Sequence, residues 1–183
     1  AIASETQWAQ GLTYCGPIIT SANLMDWGMY TNTAFPLTID TLVSGTDTII
    51  YKKPQWAKGR IHSMSAGFTR TVPSTSYWLF YQIGNEPAIG VAAGRSAQGP
   101  YSDFGKLIDT TYTGSKTISA PFFYIKGTLT YLLFSTENGS YIQQLTIKRN
   151  QMPALVGAPV QISGNLFTNV ALFAIDDYFY IFG

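Results

Sequence analysis

The residues that could support chemistry are few and scattered through this sequence of 183 residues. There are ten acidic residues, a single histidine, His62, and a single cysteine, Cys15. One histidine and one cysteine, well separated in sequence, make neither a cysteine-based zinc site nor a nucleophile activated by histidine. The sequence therefore predicts no metal site and no cofactor, and Cys15 is expected to be a small buried apolar residue.

The composition indicates a folded chain with few charges. Apolar residues make up 46% of the sequence and charged residues 11%, whereas a typical soluble domain is about 25% charged. The only adjacent basic pairs are Lys52-Lys53 and Lys148-Arg149, too few for a nucleic-acid-binding surface. No apolar run approaches the roughly 18 residues of a membrane-spanning helix. We therefore predict neither nucleic acid nor membrane as a partner.

Residues 77–109 determine the predicted fold class. An aromatic run at 77–82 is followed by a Gly-Asn turn, a run of small residues and, after a second turn, a short final strand. This succession is typical of three antiparallel strands joined by tight turns. No helical period of 3.6 residues is sustained elsewhere. We predict an all-β protein with one domain, residues 1–183.

The aromatic runs recur at intervals of about 50 residues, a period typical of the four-stranded blades of a β-propeller. The runs end at three equivalent phenylalanines: Phe80, Phe134 and Phe182. Three others precede them by about ten residues each: Phe68, Phe122 and Phe173. Blade one is predicted at residues 59–111 and blade two at residues 116–163.

The third predicted blade begins at residue 165 and has two strands within the sequence. Its other two strands are assigned to residues 17–21 and 27–30, so that N- and C-terminal strands close one blade. Because about three blades cannot surround an axis, their apolar faces would remain in water. We therefore predict a homodimer with a ring of six blades; alternatively, residues 40–56 fill the gap in a monomer.

Several short segments, in chain order, carry the motifs of a known family. They are Ser21-Ala22-Asn23-Leu24-Met25-Asp26-Trp27, Trp56-Ala57, residues 77–101, Ala120-Pro121-Phe122-Phe123 and Tyr131-Leu132-Leu133-Phe134. Together they resemble the family-43 glycoside hydrolases and their furanosidase relatives over most of residues 13–183. The resemblance implies a five-bladed propeller with three carboxylates at its axis: a general base, an orienting aspartate and a general acid.

The carboxylates that this resemblance implies are missing from the matching positions. Ala120 stands where the family has the aspartate of its Asp-Pro-x-Phe motif. No acid stands near Thr168-Asn169, where the general acid is expected, and the strand with the base is expected to precede the sequence. Because hydrolysis of a glycosidic bond needs a pair of carboxylates, we predict no catalytic residues of that type.

Polar residues at the start of each innermost strand are the candidate ligand-binding residues, because they face the axis of a propeller. They are Arg60, His62, Ser63, Ser119 and Asn169. Trp56 and Trp8 lie in irregular segments, where an indole ring is suited to stacking on a sugar. The sequence therefore predicts a non-catalytic, lectin-like carbohydrate-binding protein.

Two other functions are compatible with the same sequence. The low charge and the incomplete propeller fit a structural protein that assembles as a dimer. An arabinofuranosidase- or xylosidase-type enzyme with relocated acids at Asp103, Asp176 or Asp177 is the other alternative.

Two features favour a secreted protein. Ala1-Ile2-Ala3-Ser4 resembles a mature end left by removal of a signal peptide. Asn138-Gly139-Ser140 is an N-glycosylation sequon, and it lies in a predicted turn.

Overall fold

The computed structural model describes side chains and backbone in the core of the chain and only backbone in its N-terminal part. The described residues are 61–71, 74–83, 86–96, 101–149, 151–164, 170–175 and 178–182, with six short strands before them. Those strands are β1 (Tyr14–Cys15), β2 (Ile19–Thr20), β3 (Gly28–Met29), β4 (Leu37–Thr38), β5 (Thr41–Gly45) and β6 (Thr48–Lys52). They pair as β1 with β4, β2 with β3 and β5 with β6.

The first four-stranded sheet matches predicted blade one. It contains β7 (Ile61–Thr71), β8 (Ser74–Ile83), β9 (Ala88–Gly94) and β10 (Tyr101–Asp109), all antiparallel and in that spatial order. Strand β8 is buried on both faces, since Trp78, Leu79, Phe80 and Tyr81 are all inaccessible to solvent. Strand β9 consists mostly of Ala and Gly, and its two larger residues, Ile89 and Val91, are buried in the core.

One turn of helix, α1 (Thr110–Thr113), connects the two main sheets. The carboxylate of Asp109 caps its N-terminus, and the hydroxyl of Thr111 is the main cause that lowers the pKa of this carboxyl. The phenol of Tyr112 donates to the side-chain carbonyl of Gln143 (2.7 Å), which lies on the second sheet. Burial raises the pKa of Tyr112. The connection is thereby attached to the second sheet.

The second four-stranded sheet matches predicted blade two. It contains β11 (Ser119–Lys126), β12 (Leu129–Thr136), β13 (Gly139–Thr146) and β14 (Ala154–Ser163), again antiparallel and in sequence order. Its second strand is also the buried one: Leu132, Leu133 and Phe134 are inaccessible to solvent. Each sheet therefore has a largely buried apolar second strand.

The two sheets pack through aromatic side chains. The ring of Phe123 on β11 stacks on Phe80 of β8, with 4.7 Å between ring centroids. The backbone N–H of Phe123 donates to the hydroxyl of Ser65 on β7 (2.9 Å). Gly67 on β7 lies directly beside the Phe123 ring. This contact forms part of one apolar core shared by both blades.

The C-terminal strands form a hairpin, β15 (Ala171–Ile175) with β16 (Tyr178–Phe182). The phenylalanine repeat is confirmed, because Phe68, Phe122 and Phe173 lie on first strands and Phe80, Phe134 and Phe182 on second strands. The closing blade differs from its prediction. Among the described strands, β15–β16 and β2–β3 are separate two-stranded sheets, so the termini do not share a four-stranded one. Strands of two residues, such as β2 and β3, offer too few ladder hydrogen bonds to extend a sheet.

The all-β, propeller-like class is therefore as predicted, with two complete blades and a hairpin at the place of the third. Strand β11 contacts both β7 and β15. The first strands of successive blades are thus neighbours, as innermost strands around an axis are. No helix in the described part of the chain has the length and apolar character needed to cross a bilayer.

Candidate functional site

The candidate site lies where β7 and β11 begin. Residues later on β7 lie beside residues later on β11. Ser65 and Gly67 contact Phe123, and Phe68 and Ile125, which come later on the two strands, line one cavity. The two strands therefore run in the same direction, and their first residues lie at the same end of the blades. Ser63 and Ser119, both predicted binding residues, are at this end.

Strand β7 begins with a bulge. Its pairing with β8 shifts register between Ile61 and Ser63, so His62 occupies the irregular position. The hydroxyl of Ser63 donates to the side-chain carbonyl of Gln82 on β8 (3.2 Å). Bulges redirect side chains and are frequent beside functional sites. The described part of His62 is its backbone, and its predicted role stays a prediction.

Strand β11 begins with a second irregularity at the equivalent place. Ser119 pairs with Ser135, and the register shifts before Phe122 pairs with Leu133. Within this shift Ala120 has a φ of 52° and is 8% exposed. A left-handed backbone is uncommon for alanine and costs of order 1–2 kcal/mol. The first strands of both complete blades therefore begin with a bulge, and that of β11 contains a strained residue.

The other predicted binding residues lie outside the described residues. These are Arg60, Asn169, Trp56 and Trp8. Strands β7 and β11 are neighbours, and the binding roles of Ser63, Ser119 and these four residues all stay predictions.

Each carboxylate of the described residues is bound to a local partner. Asp103 accepts a hydrogen bond from the phenol of buried Tyr81 and another from the backbone N–H of Gly105 (3.1 Å). Glu86 forms an ion pair with Lys106 (3.5 Å). Asp109 caps α1. These three groups hold turns and strand pairs.

Glu137 is the fourth of these carboxylates, and it fastens the segment before β11. It accepts hydrogen bonds from the backbone N–H of Lys116 (2.7 Å) and from the backbone N–H of Thr117 (2.9 Å). These donors, that of Lys116 first, lower the pKa of Glu137 to about 2. None of the four acids is on β7 or β11 in the sequence, and Glu137 binds the segment just before β11. Within the same residues, no group of three or more His, Cys, Asp or Glu is placed to hold a metal ion.

A cavity between the two blades was not predicted from the sequence. It has a volume of about 520 Å³ and lies between the end of β7 and the hairpin that joins β11 to β12. Phe68, Arg70 and Gln144 are among its lining residues. The available signal was the pair Phe68 and Arg70, an aromatic and a cation two residues apart and thus on one face of a strand.

Comparison with known proteins gives a similarity of fold. No family model matches the chain, and no curated protein matches it. The chain is similar to a solved structure, that of a glycoside hydrolase family 43 arabinoxylan arabinofuranohydrolase from Bacillus subtilis in complex with cellotetraose. The TM-score is 0.59 and the sequence identity is 17%. The match covers 69% of this chain and 30% of that enzyme, so the chain spans less than a third of its length. The chain therefore has a β-propeller-like fold similar to that of a family-43 glycoside hydrolase.

Proposed function

We propose that this chain is a non-catalytic, lectin-like carbohydrate-binding protein whose ligand lies at the start of β7 and β11. The observation that carries the proposal is the backbone of Ala120. By the sequence resemblance this residue matches the family's orienting aspartate, and it holds a left-handed conformation in a nearly buried site.

Strain of this kind persists only where the surrounding structure enforces it, and it concentrates at functional sites. Aspartate tolerates the left-handed region better than alanine does. We therefore expect a scaffold that binds sugars without the acid to keep the strained backbone and to have a methyl group in place of the carboxylate. The similar scaffold supports a carbohydrate as the proposed ligand, and alanine at residue 120 supports the proposal that the protein does not hydrolyse it.

The bulge at His62 supports the same location. An imidazole and the hydroxyl of Ser63 supply both donors and acceptors, which sugar hydroxyls require. Ser119 begins the neighbouring strand. In this proposal Arg60, Asn169, Trp56 and Trp8 complete the site, and the protein acts outside the cell.

The relocated-acid alternative loses support at Asp103. Its carboxylate is bound by Tyr81 and Gly105, so it serves the β8–β10 contact. Asp176 and Asp177 lie outside the described residues.

One observation favours the second candidate, an assembly protein. Strand β16 presents exposed aromatic side chains in succession, and Tyr178 is 71% exposed. An exposed aromatic edge strand is a surface for pairing with another chain. Homodimer formation through β16 would be detected by light scattering as a doubled molar mass, and Tyr180→Lys would return the protein to a monomer.

The proposed function is tested by calorimetry with neutral arabino- and xylo-oligosaccharides, together with turnover assays on aryl arabinofuranosides and xylosides. We expect binding without turnover. His62→Ala and Ser63→Ala should weaken binding at least tenfold, and Ser102→Ala, an exposed serine on β10, should leave it unchanged. Turnover by the wild-type protein, or binding indifferent to both His62→Ala and Ser63→Ala, would refute the proposal.

A further inference from the structure

We propose that the cavity between the two blades is a second binding site, for a saccharide that carries a carboxylate, such as a uronic acid unit. The inference is independent of the function proposed for the start of β7 and β11. It rests on the charge, the aromatic surface and the hydroxyl groups of the cavity.

The cavity lies at the opposite end of the blades from the first site. Thr69 is six residues after Ser63 along β7, which corresponds to roughly 20 Å in an extended strand. The volume of about 520 Å³ falls within the range of small-molecule sites, about 300–1,000 Å³. The two sites can therefore be changed separately.

The positive charge of the cavity favours a ligand with a negative charge. Arg70 is the cation among the residues that line it, and these lining residues include no acid. The guanidinium of Arg70 contacts the ring of Phe68, with 5.6 Å from its central carbon to the ring centroid. A guanidinium presents paired N–H donors that match the two oxygens of a carboxylate. A carboxylate on the ligand would thus neutralise the one charge of the site.

Phe68 gives the site its apolar surface. Its side chain is 48% exposed, which is unusual for a phenylalanine on an innermost strand that packs against a neighbouring blade. The guanidinium of Arg70 lies over this ring, so the two groups form one cation–aromatic pair in the cavity wall. A sugar packed against the exposed part of Phe68 would have its carboxylate within reach of Arg70.

Hydroxyl and amide groups complete the lining. Thr128, Gln144 and Thr146 line the cavity. These groups suit the alternating donors and acceptors of a saccharide.

The wall opposite β7 is formed by the β11–β12 hairpin and by the adjoining part of β13. Gly127 has a φ of 61° and permits the tight turn that pairs Lys126 with Leu129. The buried hydroxyl of Thr130 donates to the backbone carbonyl of Leu145 (2.8 Å).

The test is calorimetry of the whole protein with trigalacturonate, with xylotriose bearing a glucuronate, and with the methyl esters of both. We expect the wild-type protein to bind at least one acidic probe, and its methyl ester at least tenfold more weakly. Arg70→Gln should lose at least tenfold in affinity for the acid, and Arg70→Lys should lose less. Arg149→Gln, an exposed arginine outside the cavity, is the matched control and should bind as the wild type does.

Failure of both acidic probes to bind at millimolar concentration would overturn the inference, as would equal affinity for acid and ester. So would unchanged affinity in Arg70→Gln, with circular dichroism used to confirm that the variant is folded. The two sites are told apart by crossing the variants. Ser63→Ala should spare the acidic probe, and Arg70→Gln should spare neutral oligosaccharides.

Discussion

Gly67→Ala tests the contact that joins the two blades. A Cβ atom at this position would lie 2.5 and 2.7 Å from two ring carbons of Phe123. Carbon atoms in contact are normally about 3.5–4.0 Å apart, so the ring would have to move by about 1 Å. Phe123 is 7% exposed and stacks on fully buried Phe80. The movement would therefore disturb the shared core.

Two effects of opposite sign determine the result. Replacing glycine by alanine in a strand normally stabilises by about 0.5–1 kcal/mol, because the unfolded chain is less flexible. Overpacking a core costs about 1–3 kcal/mol. Since the contact is much shorter than van der Waals distance, we expect the second effect to win and the free energy of unfolding to fall by about 1–2 kcal/mol.

Urea denaturation followed by fluorescence measures this change. Gly164→Ala is the matched control, because a Cβ there meets nothing within 4 Å and the backbone is not left-handed; it should be neutral or slightly stabilising. Phe123→Leu should relieve the clash, so the double variant Gly67→Ala/Phe123→Leu should be more stable than the sum of the two single changes predicts. A Gly67→Ala protein as stable as the wild type would refute the packing described between β7 and β11.

Three further changes have defined outcomes. Glu137→Gln should lower the free energy of unfolding near pH 7 and have little effect near pH 2. The pKa of Glu137 is lowered to about 2 in the folded state, so its stabilisation is present above the unfolded-state pKa near 4.5 and is lost as the pH falls toward 2. A difference in urea midpoint between variant and wild type that does not change with pH would contradict this. Tyr81→Phe, which removes the donor to Asp103, should cost about 1.5–3 kcal/mol of unfolding free energy at pH 7, and an unchanged urea midpoint would contradict the bond. Ala120→Val should cost about 1–3 kcal/mol because a β-branched residue resists a positive φ, whereas Ala120→Gly should stay within about 1 kcal/mol; equal midpoints for these two variants would show that the strain is absent.

The fold was largely readable because its signal is local and repeated. The aromatic runs that end near Phe80, Phe134 and Phe182 mark the second strand of each sheet, and the turn residues between them set the strand boundaries. Burial on both faces of β8 follows directly from its apolar residues on both faces. The pairing of the terminal strands was not readable, because it depends on contacts between segments more than 100 residues apart in the sequence.

Some features of the candidate site could likewise be predicted from the sequence, and others could not. The sequence shows alanine at residue 120, where the resemblance implies an aspartate. It does not show the positive φ of this backbone, since alanine has no preference for it. Likewise, Asp103 as a free acid was a reasonable hypothesis until the fold placed Tyr81 beside it.

By itself the sequence determined the strands, their period and the all-β class, because these depend on the alternation and spacing of residues along one segment. Tertiary structure alone decided how the blades pack at Gly67 and Phe123, where the cavity beside Arg70 opens, and which partner each described carboxylate has. The physical reason is that packing, burial and hydrogen bonding between blades depend on distances across the fold, which no local pattern contains.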